Sequence, residues 1–215
     1  MSLSNDQRAA VKKVFEPIAL GMGRLGLTPD ALTLIGFGIT VAGAILLGLG
    51  LWLVGGIVVF VGGVFDMFDG TLARATGKAS PLGAFMDSVF DRWGEAIVYA
   101  GIVAGSVGAG FDAGAILAAV AMGAAFLVSY ARAKAEGLGF STGTGMAEVG
   151  LMPREIRLVV LTAGLLVGGW LGIGPAFEGG SLVLGLSLAA IALLGSLTVV
   201  QRVVATRRRA ASTTR

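Results

Sequence analysis

The sequence predicts an all-α polytopic membrane protein, with six transmembrane helices preceded by an N-terminal amphipathic surface helix. Three observations carry that prediction. The 215 residues are 55% hydrophobic and only 13% charged, with a mean hydropathy of +0.88, whereas soluble domains carry roughly 25% charged residues. Uncharged runs long enough to cross a bilayer, at about 20 residues each, recur along the chain. The 16 Lys and Arg residues keep to the N-terminal segment, alternate connections with their adjoining helix ends, and the C-terminal end. The 36 glycines add a second feature, because small residues let membrane helices approach closely. Cys and His are both absent. Thiol chemistry and the commonest general base are thereby excluded, and any metal site must use oxygen ligands.

Residues 1–26 form the first unit. Val11, Val14, Phe15, Ile18, Ala19 and Met22 recur at helical spacing while Lys12, Lys13 and Arg24 take other positions, the pattern of a helix lying on a membrane surface. Charges stand where a signal peptide would need an apolar core, so no cleaved presequence is expected. Thr28-Pro29-Asp30 resets the chain, and Thr28 or Asp30 could cap the next helix. The six spans, residues 27–205 with their connections, then follow at about 31–52, 53–75, 82–107, 113–128, 154–171 and 181–204. The fourth exits through residues 129–136 into a Gly-rich loop, and residues 206–215 are a basic tail expected to be disordered. The positive-inside rule puts both termini at the cytoplasmic face of the cell membrane.

Four carboxylates interrupt this apolar background: Asp66 and Asp69 near the end of the second span, Asp87 and Asp91 in the first turns of the third. Spacings of three and four residues put each pair on one helix face. Both pairs fall on the cytoplasmic side. A charge deep in a membrane helix costs roughly 2.5–3.5 kcal/mol, so four uncompensated acids would cost about 10 kcal/mol. Arg74 and Arg92 can neutralise two of them. Divalent cations can neutralise the rest, and an all-oxygen site suits Mg²⁺ or Mn²⁺. The alternatives are wet, salt-bridged structural acids, or acids lining the path of a divalent-cation transporter. A transporter path should spread its acids through the membrane, whereas only Glu95 lies deeper here.

The stretch Asp66-x2-Asp69-Gly70-x2-Ala73-Arg74-x8-Gly83-x3-Asp87-x3-Asp91 resembles, without a gap, the signature of the CDP-alcohol phosphotransferase family. The resemblance implies transfer of the phosphatidyl or archaetidyl group of a CDP-lipid to an alcohol, with CMP leaving. It implies two divalent ions held by Asp66, Asp69, Asp87 and Asp91, with Asp91 also the base that takes the acceptor proton. Around the CDP-lipid it places Asp30, Ala31, Leu32 and Thr33, Gly70, Ala73 and Arg74, and Ser80 and Gly83. It further implies a homodimer among membrane lipids, with CDP-diacylglycerol or CDP-archaeol as donor and no nucleic-acid partner.

For the acceptor, Ser129-Tyr-Ala-Arg132-Ala-Lys134-Ala-Glu136 resembles the SYxKARAE segment of the phosphatidylinositol phosphate synthase branch and its archaetidyl counterpart, with Lys and Arg exchanged. That branch carries E-R-P-E-R before the fifth span. This chain has Pro153-Arg154-Glu155-Ile156-Arg157, with the Arg-x-x-Arg spacing kept and Pro and Glu displaced. Gln201-Arg202 also matches. The resemblance thus places Ser129, Arg132, Arg154, Arg157 and Arg202 around the phosphate of inositol phosphate, with glycerol 3-phosphate or another phosphopolyol as the alternative. Arg suits such an anion because it binds phosphate through paired hydrogen bonds.

Overall fold

The computed structural model describes residues 5–140, 145–146, 149–174 and 179–213. Among them the chain forms seven helices and no strand: α1 (Asn5–Arg24), α2 (Pro29–Gly48), α3 (Trp52–Ala75), α4 (Pro81–Gly108), α5 (Asp112–Gly137), α6 (Arg154–Leu171) and α7 (Gly179–Thr213).

Two of the starts that frame the site share one device. Thr28 caps α2, its Oγ1 accepting the Ala31 N–H at 3.2 Å, and Ser80 caps α4 by accepting the Gly83 N–H at 3.0 Å. Each is followed by Pro at the first helical position, where a missing N–H is harmless. Of the two expected caps, Thr28 is used.

Two helices run longer than the sequence suggests. Residues 129–136, expected as the exit from the fourth span, are the last turns of α5. Their Ala, Arg, Lys and Glu content favours helix, and Arg132 and Glu136 pair at 3.0 Å across one turn. Residues 206–213 of the C-terminal tail are not disordered, since α7 continues through Thr213, and residues 214–215 lie outside the described residues. No Gly or Pro follows Gly195 to stop it, and the Arg209 guanidinium donates to the Phe140 carbonyl at 3.0 Å.

Close packing pairs α2 with α3, α3 with α6, α6 with α7, α7 with α5, α5 with α4, and α4 with α2. The six helices therefore close into a circuit. Leu47, Tyr99, Ile102, Leu161, Leu165, Leu184 and Leu188 form its buried centre, while Ile45, Phe60, Ile116, Val120, Leu186 and Leu193 face outward and stay exposed. Helix α1 sits outside the circuit on α3. It buries Ala19 against Phe68 and Leu72, and the Phe15 and Phe68 rings lie 5.2 Å apart.

Glycine lets α2 fit between the two acid-bearing helices. A methyl group at Gly62 of α3 would lie 3.0 Å from the Thr40 backbone nitrogen, and one at Gly101 of α4 would lie 3.0 Å from the Ala44 carbonyl carbon. Neither backbone could yield, so both contacts need a residue without a side chain.

Helices α2, α3, α5 and α7 are long and apolar enough to cross a membrane. The other two expected spans do not reach that composition. The last eighteen residues of α4 still contain Asp91, Arg92 and Glu95, and the eighteen residues of α6 begin with Arg154, Glu155 and Arg157. The charges that disqualify these helices all lie at the end of the circuit that carries the acid cluster.

Candidate active site

The α3 face carrying Asp66, Asp69, Gly70, Ala73 and Arg74 looks toward the first turns of α4, which carry Gly83, Asp87 and Asp91. Carboxylate oxygens of Asp66, Asp69 and Asp87 all lie within 4.8 Å of one another. Asp69 is the buried member, 4% exposed. Its two oxygens are already oriented: the Thr33 hydroxyl of α2 donates to Oδ2 at 2.5 Å, and the Gly70 N–H donates to Oδ1. Neither Asp69 nor Asp87 takes an ion pair from the described residues. Three converging hard oxygen donors, of which only Asp66 has a described protein cation within 4 Å, fit a divalent ion of the Mg²⁺ or Mn²⁺ kind.

Asp91 stands apart from that trio. Arg154 Nη2 of α6 donates to its Oδ1 at 2.6 Å and lies 3.7 Å from Asp66 Oδ2, while Arg92 Nη1 lies 3.4 Å from its Oδ2. Arg154 thus supplies positive charge both to Asp66 of the cluster and to Asp91 beside it.

Besides a small cleft at Asp66, Asp91 and Arg154, two larger clefts open onto these residues. The first, about 390 Å³, is lined by Asp30, Thr33, Asp69, Gly70, Ala73, Arg74, Lys78, Ser80, Gly83 and Asp87, with Thr28 and Pro29 at its edge. Gly70 and Gly83 keep it open, since a methyl group on either would reach 3.2 Å from Arg74 Nη1 or Ser80 Oγ. The second, about 620 Å³, is lined by Asp87, Asp91, Arg92, Ser129, Tyr130, Arg132, Glu136, Arg154, Glu155 and Arg202, among others. Asp87 belongs to both, so the clefts meet at the carboxylates.

The residues expected around the CDP-lipid therefore gather in one cleft, with two departures. Leu32 points into the core beside Ala19, Phe68 and Leu72, and is fully buried. Ala31 does not line the cleft, and its N–H is spent on the Thr28 cap. Helical periodicity explains both: of four consecutive residues, Asp30 and Thr33 share the cleft face and the two between them turn away.

Of the residues expected around an acceptor phosphate, Ser129, Arg132, Arg154 and Arg202 line the second cleft. Arg202 spends part of its guanidinium on backbone, donating to the Val128 carbonyl through Nη1 and to the Val149 carbonyl at 3.0 Å through Nε. Arg157 does not reach the cleft. It is 0% exposed, and its Nε and Nη2 grip the two oxygens of Glu95, the Nη2 contact being 2.8 Å. Sequence reasoning placed Glu95 deeper on its helix without a partner. An acid inside an apolar span calls for a cation opposite, and only the fold shows that this cation is Arg157.

Residues 26–198 match the family model described as CDP-alcohol phosphatidyltransferase. The chain is 32% identical over 203 residues to an archaetidylinositol phosphate synthase of Methanothermobacter thermautotrophicus, covering 94% of this chain and 93% of that one. It is 34% identical over 203 residues to a phosphatidylinositol phosphate synthase of Cutibacterium acnes, covering 94% and 96%. Crystal structures of the Mycobacterium tuberculosis phosphatidylinositol phosphate synthase superpose with a TM-score of 0.78 at 29% identity. One has CDP-DAG bound and covers 90% of this chain and 94% of that one; the other, with manganese and citrate, covers 90% and 89%.

Proposed function

The chain belongs to the CDP-alcohol phosphatidyltransferase family and is a transferase of phospholipid synthesis, and from that premise we propose that it joins the phosphatidyl or archaetidyl group of a CDP-lipid to a hydroxyl of inositol phosphate. The observation that carries this reading is the pair of clefts meeting at Asp87, one lined by the CDP-lipid signature and the other by Ser129, Arg132, Arg154 and Arg202. Named relatives that make phosphatidyl- and archaetidylinositol phosphate support the acceptor.

In the reaction the acceptor oxygen bonds to the lipid-bearing phosphorus. The pyrophosphate P–O bond breaks, and its electron pair leaves with CMP. Asp91, at the cleft shared with Arg154, takes the hydroxyl proton. Arg74 binds donor phosphate in the first cleft, where Gly70 and Gly83 leave room for the cytidine. Arg132, Arg154 and Arg202, with Ser129, hold the acceptor phosphate. Asp66, Asp69, Asp87 and Asp91 would hold two divalent ions, Mg²⁺ or Mn²⁺, which supply positive charge to the pyrophosphate as it breaks. Thr33 and the Gly70 N–H orient Asp69 for that task.

The same reading makes α2 to α7 six spans, with α4 and α6 entering the membrane beyond their charged first turns and α1 lying on its surface. The distribution of Lys and Arg supports cytoplasmic termini and a cytoplasmic active site in the cell membrane. The domain boundaries at residues 26 and 205, and a homodimer, belong to this proposal.

The test is CMP release by purified protein given Mg²⁺, CDP-diacylglycerol or CDP-archaeol, and a panel of inositol phosphate, glycerol 3-phosphate and inositol. Inositol phosphate should be fastest. Equal or faster release with glycerol 3-phosphate overturns the acceptor; no release with any member overturns the transfer.

A further inference from the structure

Helices α4 and α6 face each other across the circuit and are not one of its closely packed pairs. Long side chains bridge them instead, in two parallel rungs. Asp91 and Glu95, four apart, share a face of α4; Arg154 and Arg157, three apart, share a face of α6. The outer rung is Arg154 on Asp91 at 2.6 Å, open to the acceptor cleft. The inner rung is Arg157 on Glu95, with side chains 0% and 4% exposed and both carboxylate oxygens engaged.

The inner rung is a poor way to stabilise a fold. Desolvating two charges offsets much of their attraction, and apolar replacements of a buried pair are often neutral or better. Among the described residues this pair also leaves Arg157 Nη1 buried without a hydrogen-bond partner, and the Tyr99 hydroxyl, one turn along α4 from Glu95, has none there either. What the pair supplies is a fixed distance between two helices whose backbones are not closely packed. A bidentate Arg–carboxylate contact defines that distance and orientation. The residue it fixes is Arg154, one turn earlier on α6, whose guanidinium lies between Asp91, Asp66 and the acceptor cleft.

We propose that Glu95 and Arg157 are positioning residues for the transfer: their buried pair sets the first turn of α6 against α4 and so aims Arg154 at Asp91 and Asp66 on one side and at the acceptor phosphate on the other. This rests on the proposed function for its acceptor, but it assigns Arg157 a role through Arg154 rather than a contact with substrate.

The test compares E95L/R157M, Arg154→Ala and wild type. The double variant removes both charges together, so it should fold with an undiminished Tm and bind CDP-lipid with unchanged Kd. Without the inner rung, Arg154 no longer competes for Asp66 and Asp91. Mn²⁺, titrated into acceptor-free protein and followed by electron paramagnetic resonance, should therefore bind at least threefold more tightly to both variants. CMP release at saturating inositol phosphate should fall at least tenfold in the double variant. A folded double variant with wild-type Mn²⁺ binding and wild-type kcat overturns the proposal.

Should the double variant fail to fold, Glu95→Asp and Arg157→Lys decide. Each shortens or blunts one side of the pair, so both should lower kcat together. If Arg157→Lys raises only the acceptor KM while Glu95→Asp matches wild type, Arg157 is a direct phosphate ligand and the proposal is wrong. If wild type transfers to no phosphopolyol, the proposed function fails, and the Mn²⁺ titration still decides the positioning role.

Discussion

Replacing Thr33 by Val isolates one hydrogen bond at the carboxylate cluster. The Thr33 hydroxyl donates to Asp69 Oδ2 at 2.5 Å, and both residues are buried, at 7% and 4% exposure. Val keeps the shape of Thr, so the exchange removes a donor and little packing. The exchange leaves Asp69 with the Gly70 N–H as its remaining hydrogen bond among the described residues. A hydrogen bond to a charged group is worth about 1.5–3 kcal/mol. Partners that orient a metal ligand typically change metal affinity by about 10- to 100-fold when removed, or about 1.4–2.7 kcal/mol at ~1.4 kcal/mol per factor of ten. The two figures agree, so Thr33→Val should weaken Mn²⁺ binding by about 10- to 100-fold. Paramagnetic resonance of the purified protein gives the Mn²⁺ affinity directly, and the Mg²⁺ dependence of CMP release gives it a second time. High Mg²⁺ should restore much of the lost rate, because the variant still has all four carboxylates. An Mn²⁺ affinity within about twofold of wild type would refute the idea that Thr33 orients a metal-binding Asp69.

Asp91→Asn should lower CMP release by at least about 10²- to 10⁴-fold, the usual contribution of a general base, while CDP-lipid still binds; near-normal turnover would remove Asp91 as the base. Arg202→Ala should raise KM for inositol phosphate more than for the CDP-lipid, and equal changes would reduce Arg202 to its bonds with the Val128 and Val149 carbonyls. Gly101→Ala drives a methyl group into the Ala44 backbone and should destabilise the α2–α4 contact by about 1–3 kcal/mol. An unchanged Tm in detergent would show that the two backbones do not approach as described.

Much of this protein is written locally. The uncharged runs mark the helices, and the boundaries at Pro29, Pro81 and Arg154 follow from Thr-Pro, Ser-Pro and the end of a Gly-rich loop. The pairing of Asp66 with Asp69 and of Asp87 with Asp91 needs only the 3.6-residue turn, because residues on one helix keep their mutual positions wherever that helix packs. The 26-residue signature was enough to point to the family. Local reading fell short on helix length in residues 129–136 and 206–213, expected to lie beyond the spans of their helices, the second as a loose tail. Their Ala- and Arg-rich composition, free of Gly and Pro, continued the helix instead.

Partner choice between helices was beyond that reach. The sequence offered Arg74 and Arg92 to the acids, and Arg154 and Arg157 to a phosphate. The fold keeps Arg92 on Asp91, adds Arg154 to Asp91 and Asp66, and gives Arg157 to Glu95. Which cation meets which acid depends on how two helices are spaced and rotated, and here that is set by α2 held close to α3 and α4 at Gly62 and Gly101, and by the circuit that carries α6 opposite α4. A sequence states which groups share a face; only the packed helices decide what that face looks at, because the separation of long side chains on different helices is fixed by backbone contacts far from them along the chain.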